Sequence, residues 1–212
     1  MDSREIILGR IREALRAPSP RHAVDSAPRE WRRPAPETVD GQIDLFRKNA
    51  EELRAEFFIC ADIAEATERA RSFAWKKVAL HSGELTDAVA GGLGVAQVRT
   101  DKGYALGDLE SCDAGLTECE ALVAQTGSVL VSSGASGGRA LSVLPPHHVV
   151  LARRGQMVSD LGSALRNAQT KYRDGWPSCL SFVTGPSRTG DIERILVLGA
   201  HGPRRLTILL LP

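Results

Sequence analysis

The chain has 212 residues, with 27 Lys+Arg against 26 Asp+Glu and a formal net charge of +1. That length accommodates one domain of about 150–180 ordered residues plus a tail, and such a domain buries roughly 70% of its unfolded surface without needing a disulfide or metal staple. Near-cancelled charge excludes the basic field of a nucleic-acid binder, and no apolar run approaches the ~20 residues of a membrane-spanning helix.

Residues 1–16 read as an N-terminal amphipathic helix, in which Ile7, Ile11 and Leu15 recur at i, i+4 and i+8 and Asp2 and Ser3 are available as caps. Charge mixed through Met1–Arg16 denies it the apolar core of a secretory signal, so a cytoplasmic location is expected. Cys60, Cys112, Cys119 and Cys179 are then free thiols; their spacing contains no C-x-x-C pair, which excludes a zinc ribbon or an iron–sulfur ligand run. Residues 17–37 carry Pro18, Pro20, Pro28, Pro34 and Pro36 among several arginines and read as a linker. Trp31, between Arg29 and Arg32, either rides in solvent or anchors on a partner or on the chain's own domain.

From residue 38 to 212 the pattern predicts an α/β domain. Val39, Ile43, Phe46, Ala50 and Leu53 trace a helix; a short strand Glu56–Cys60 follows, then a helix through Ile63, Ala66, Ala70 and Phe73. Strand Val78–His81, helix Leu85–Leu93 and strand Val95–Val98 continue the alternation, which points to a Rossmann-like open, mostly parallel sheet with helices on both faces. Beyond Gly107 the runs Ala121–Ala124, Ser128–Ser132, His148–Ala152, Leu180–Thr184, Ile195–Leu198 and Leu206–Leu211 are β-type, interrupted by one helix, Val158–Ala168. The last run is apolar on both faces, as an interior strand should be.

Three familiar fingerprints fail. Gly134-Ala135-Ser136-Gly137-Gly138 spells a nucleophile elbow, but Pro145 and Pro146 arrive too soon for the long helix that must follow. Gly185 to Gly190 has phosphate-loop spacing, yet Asp191 stands where the lysine belongs and would repel a triphosphate. Gly92-Leu93-Gly94 precedes a strand instead of following one, so no dinucleotide fingerprint is present.

Two constellations remain. In the first, Thr126, Gly127 and Ser128 lead to the Ser132–Arg139 loop, where amides, hydroxyls and the Arg139 guanidinium suit a small anion; the alternative is a tight hairpin with a solvated arginine. In the second, Ser187, Asp191 and Glu193 precede His201 in Ala200–Pro203. Each segment follows a β-type run, so both are expected at strand ends where open sheets bind ligands, with Asp191, Glu193 and His201 suited to acid/base work. Helix capping by Asp191 and a backbone contact for His201 are the structural alternatives. His147 and His148, adjacent on a strand, point to opposite faces and do not readily share an ion; His201 with one of them and a carboxylate is the remaining arrangement, which the spacing does not support, so no metal site and no resident cofactor are expected.

The stretches TGSVLVSSG (Thr126–Gly134), GRALSVLPPHHVV (Gly138–Val150), SFVTGPSRTGDIE (Ser181–Glu193) and GAHGPRRLTILLL (Gly199–Leu211) together resemble the LUD domain family of the lactate-utilisation protein C (LutC/YkgG) type. That resemblance implies a fold similar to ribose-phosphate isomerase, glucosamine-phosphate deaminase and CoA transferases (NagB/RpiA/CoA-transferase-like). It implies a role in a bacterial system that oxidises L-lactate to pyruvate, with iron–sulfur proteins as partners. Arg188 and Gly190 depart from the family, which has small alanine-like residues there. Three functions follow as alternatives: an accessory subunit with a small-anion site, a free-standing sugar-phosphate isomerase or CoA transferase with Glu118 as the candidate nucleophile, or a non-catalytic interaction module.

Overall fold

Six parallel strands form the frame that positions the polar loops. The computed structural model describes residues 3–16, 34–134, 136–190, 196–199 and 201–212. It divides into two units, Met1–Arg33 and Pro34–Pro212. In the first, helix α1 (Ser3–Ala14) buries none of its residues, and Ile7 and Ile11 are exposed. Trp31 and the linker expectation for residues 17–33 lie outside the described residues.

The second unit opens with helix α2 (Val39–Glu52), whose Thr38 hydroxyl accepts from the Gly41 amide and whose Ile43, Phe46 and Ala50 stripe is buried. Strand β1 (Glu56–Ile59) and helix α3 (Ile63–Arg71) follow. Asp62 caps α3 at 2.8 Å from the Glu65 amide, while Glu65 accepts from the Ala61 amide at 2.7 Å. Next come strand β2 (Lys77–Leu80), helix α4 (Glu84–Leu93), strand β3 (Ala96–Arg99), helix α5 (Leu106–Glu110) and strand β4 (Ala114–Glu118). Strands β5 (Ala121–Val123), β6 (Ser128–Ser132), β7 (His147–Arg153) and β8 (Met157–Val158) lead to helix α6 (Leu161–Lys171). Strands β9 (Leu180–Val183), β10 (Arg188–Gly190), β11 (Leu196–Leu198) and β12 (Arg205–Leu211) complete the unit.

The parallel sheet runs β1-β12-β7-β4-β2-β3. As expected of its composition, β12 is interior: Leu206, Ile208 and Leu210 pack on one face and Leu209 and Leu211 on the other. Helices α3 and α4 cover one face. On the other, α2 shares the cover with a separate four-stranded sheet, β8-β5-β6-β9. Sequence pattern had not separated these two sheets. The β-type runs at 121–124, 128–132 and 180–184 belong to the second, whose β5-β6 and β6-β9 pairs are antiparallel and whose outer face packs on α6. Strand β4, absent from the sequence expectation, is central to the first. It carries one bulky apolar residue, Leu116, so its composition does not announce a strand; pairing to β2 and β7 on either side makes it one.

Candidate functional site

Chain order and spatial order diverge at β2. From there the chain steps outward to β3, then returns to β4 on the other side and continues to β7. Loops that leave neighbouring parallel strands in opposite directions open a crevice at their carboxyl ends, where open α/β sheets bind ligands. Here that topological position falls between His81–Gly83 after β2 and Cys119–Glu120 after β4, where Gly83 lies against Glu118 and Gly137 against His81.

Glu118, the last residue of β4, turns its carboxylate onto the start of α4, where Oε1 accepts from the amides of Leu85 (2.8 Å) and Thr86 (3.3 Å). It is therefore a half-buried helix cap at the crevice and not a solvated turn residue. His81 approaches Thr100 Oγ1 through Nδ1 at 3.2 Å, and the Thr100 hydroxyl donates to the Leu80 carbonyl at 3.4 Å.

The glycine loop after β6 folds down onto these groups. Ser136 is 1% exposed; its amide donates to the Ser132 carbonyl and its hydroxyl to the Glu118 carbonyl at 3.3 Å, so it points inward, away from any substrate. At Gly137 φ is +67°, and a Cβ would collide with the Thr100 hydroxyl and the His81 side chain. Only glycine permits both that backbone and that approach. The Gly138 amide donates to the Ser133 carbonyl. Arg139 then projects along the surface and donates to the Ser178 carbonyl at 3.2 Å. Beside it lies a cleft of about 140 Å³, lined among others by Ser133, Arg139, Ser142, Cys179 and Ser181. The amide of Cys179 donates to Ser133 Oγ, which also meets Ser178 Oγ at 3.0 Å, so the loop and the start of β9 are tied together.

The other sequence candidates lie elsewhere. Thr126, Gly127 and Ser128 sit at the opposite end of β6 from the Arg139 loop, a strand of five residues and roughly 14 Å. Ser128 is 2% exposed and its hydroxyl is shared between Thr126 (2.7 Å) and Thr184 (2.8 Å). Gly127, at φ +63°, lies against the backbone of Asn49 and Ala50 in α2, and Asn49 Nδ2 donates to the carbonyls of Ala124 and Gln125. Ser187 and the His201–Pro203 loop do come together: the Ser187 amide donates to the Pro203 carbonyl, and Gly202 rests on the Ser187 side chain. Each does follow a strand, β9 and β11, but neither strand belongs to the parallel sheet: among the described residues β11 pairs with β10, and residues 201–203 enter β12, which puts them at the amino edge of the parallel sheet and not at its carboxyl ends. His201 is exposed there. Asp191 and Glu193 lie outside the described residues.

His147 and His148 do face opposite ways. His147 packs edge-on against Phe73 and Trp75, and its Nε2 lies 2.7 Å from Thr207 Oγ1, which donates onward to Glu56. His148 is fully buried on the other face, with Nε2 2.9 Å from Thr117 Oγ1. Burial, with the Arg205 cation added and Glu56 opposing, pushes the His147 pKa down to about 4. Burial and the neighbouring His147 push His148 down to about 3. Both rings are neutral at neutral pH.

Two functional-looking groups escaped sequence reasoning. His81 ends a predicted strand ahead of Ser82-Gly83, and that position is a usable signal. Glu120 carries no such signal. Its carboxylate, 5% exposed, accepts from Ser132 (2.6 Å), Tyr172 (2.5 Å) and Lys171 (2.7 Å), groups up to fifty-two residues away. Burial raises its pKa, but hydrogen bonds from Lys171, Ser132 and Tyr172 together bring it below the ordinary value. Burial raises the thiols of Cys119, Cys60 and Cys112, which makes them unreactive.

Comparison with known proteins places this arrangement. The model of the LUD domain matches residues 43–211, from the α2 stripe through β12. The chain belongs to the LUD domain family. Its relatives include lactate utilization protein C of Halalkalibacterium halodurans, 36% identical over 98 residues that cover 45% of this chain and 43% of that protein. Lactate utilization protein C of Deinococcus radiodurans is 33% identical over 118 residues, 55% of each chain. This LUD chain thus matches about half the length of the curated relatives. In solved structures the fold is similar to a DUF162 family protein from Deinococcus radiodurans, with a TM-score of 0.65 at 20% identity over 84% of this chain and 100% of that one. Among the described residues of the LUD unit no helix is long and apolar enough to cross a membrane.

Proposed function

We propose that this LUD domain chain is a cytoplasmic component of a bacterial lactate-utilisation system and binds a small carboxylate at the glycine loop. The observation that carries the reading is the cleft beside Arg139. Its guanidinium donates to a single carbonyl, Ser178, and the hydroxyls of Ser142 and Ser181 make no side-chain hydrogen bond among the described residues. A guanidinium flanked by free hydroxyls suits a carboxylate, which takes two parallel N–H donors and further O–H donors. The names of the relatives, lactate utilization protein C, supply the substrate system. Partners in that system are iron–sulfur proteins, as the resemblance implies; in this chain Cys60, Cys112 and Cys119 are buried and Cys179 is a single half-buried thiol, short of the four thiolates a cluster takes. Within this reading Arg139 is the anion anchor. Thr126, Gly127 and Ser128 hold the β5–β6 hairpin that carries the loop. Ser187 and His201 lie apart from it, near the amino edge of the parallel sheet, and in this reading they, with Asp191 and Glu193, take no part in holding the anion.

Thermal-shift titration of the full chain with L-lactate, pyruvate, sugar phosphates and CoA esters tests it. A ligand at ~100 times its dissociation constant stabilises by roughly 2.7 kcal/mol and raises Tm by a few degrees. The expected result is a shift with a short carboxylate that Arg139→Ala abolishes. Stabilisation by none of these compounds, or a shift indifferent to that substitution, overturns the anion site.

A second reading, CoA transfer through Glu118, is favoured by its position at the crevice. Against it stand the two amides that already occupy Oε1. Borohydride trapping of a Glu118 thioester with acyl-CoA would establish it.

A further inference from the structure

A second cleft, of about 260 Å³ against about 140 Å³ beside Arg139, opens at the carboxyl ends of β1, β12 and β7, where these strands meet the starts of α3 and α4. Open α/β sheets bind ligands at that end. Its walls are apolar, formed by Ile63, Leu85, Ala88 and Leu211, and three charged residues, Asp62, Glu84 and Arg153, stand around them. Apolar walls with a few polar groups to fix orientation are the usual composition of a small-molecule pocket.

Strand register puts Arg153 in this cleft. It pairs with Leu211 across β7 and β12, and it lies two residues beyond Leu151, so it continues the face that packs under α3 and α4. Nη1 donates to the Pro212 carbonyl at 3.4 Å and Nη2 to Glu84 Oε1 at 2.5 Å. The Glu84 side chain is 79% exposed and that of Arg153 44%, and an ion pair so open to water contributes little. Glu84 can therefore swing into solvent at small cost, and its carboxylate marks the place that a ligand carboxylate would take. The helix starts offer no rival donors. Asp62 Oδ1 accepts from the Glu65 amide of α3, and Glu118 Oε1 takes the Leu85 and Thr86 amides of α4. Arg153 is the group left to receive an anion.

We infer that this cleft binds a monocarboxylate with an apolar body, its carboxylate on Arg153 in place of Glu84 and its chain against Ile63, Leu85, Ala88 and Leu211. An apolar cavity of about 150 Å³ admits benzene, so this one has room for a chain of about six carbons. The ligand differs in kind from the small anion assigned to Arg139, because most of its binding comes from hydrocarbon taken out of water. The two sites share no residue, and this inference stands or falls without the other.

Amide NMR titration of the nitrogen-15-labelled full chain with hexanoate, acetate and hexylamine, for wild type, Arg153→Gln and Glu84→Gln, tests the assignment. Hexanoate should move the resonances around Ile63, Leu85 and Leu211. Acetate, which has no chain to bury, should bind at least about tenfold more weakly, and hexylamine, with the opposite charge, more weakly than hexanoate. Arg153→Gln should lose roughly tenfold in hexanoate affinity. Glu84→Gln should gain roughly two- to fivefold, because it removes the internal competitor for the guanidinium. That opposite sign separates a displaced carboxylate from a merely structural ion pair. The inference is overturned by no hexanoate binding, by shifts around Arg139 and Cys179 instead, or by acetate or hexylamine binding as tightly as hexanoate. Unchanged or weaker affinity in Glu84→Gln, or full affinity in Arg153→Gln, overturns it as well. If Arg153→Gln does not fold, the wild-type ligand series and Glu84→Gln decide between the same outcomes.

Discussion

Glu120 shows how much a single residue's environment decides. A carboxylate at 5% exposure would favour its neutral form, but three donors aimed at it hold the anion. Replacing it with Gln removes the charge that Lys171 and Tyr172 pair with and leaves an amide hydrogen facing donors. Glu120→Gln is expected to cost about 2 kcal/mol, read as a lowered urea midpoint; a change under about 0.5 kcal/mol would mean the cluster is not stabilising. Gly137 is the second such position. Its left-handed backbone and contact with His81 and Thr100 leave no room for a methyl. Gly137→Ala is expected to cost about 2 kcal/mol or more and to lift the loop from the crevice, removing the thermal response to small carboxylates. Neither environment is legible locally, since the sequence around Glu120 contains none of its partners except Ser132.

Among the elements, α2 and the β5–β6 hairpin form one docked pair. Asn49 bonds the Ala124 and Gln125 carbonyls, and Gly127 fits against the α2 backbone. Asn49→Ala removes both of these part-buried hydrogen bonds and is expected to destabilise by about 1–2 kcal/mol. Gly127→Ala meets backbone instead of a flexible side chain and should be the more severe of the two in the same denaturation series. Helices α2, α3 and α4 were legible because an apolar stripe is a local signal; Thr38 and Asp62 cap the first two from the adjoining chain, whereas the start of α4 is capped by Glu118 from β4. The strands of the second sheet were legible as strands but not as a separate sheet, because strand propensity records burial and not the identity of the neighbour. Strand β4 lacked even that signal, with Leu116 its one bulky apolar side chain. The polar loop at Ser187 and His201 shows the same limit: the sequence showed that it adjoined strands, and only the topology showed which edge.

Across the molecule the buried imidazoles set the response to acid. In the unfolded chain His147 and His148 take protons near pH 6.5; in the folded protein they resist down to about 4 and about 3. The unfolded state therefore binds more protons over that interval. Stability is full above pH 6.5 and falls as pH is lowered, until the folded pKa values are reached. At about 1.4 kcal/mol per unit per group, a drop from pH 7 to 5 should remove on the order of 4 kcal/mol, measured by denaturant titration. His148→Gln keeps the bond to Thr117 and should roughly halve that slope. An unchanged slope would show that the rings are hydrated in solution. Glu56, Glu120 and Asp160, whose folded values lie below the ordinary carboxylate range, lose their contribution only at lower pH, as each is protonated in the folded state.

By itself the sequence determined the alternating strand–helix plan, the apolar interior strand at Leu206–Leu211 and the family. Each rests on periodicity, capping or contiguous motif, all properties of neighbouring residues. Tertiary structure alone decided that β4 divides the sheet's winding, that Ser128 and Arg139 stand at opposite ends of β6, and that the glycine loop lies on His81. Those are distances between residues far apart in the chain, set by strand pairing and packing, and no local pattern encodes them.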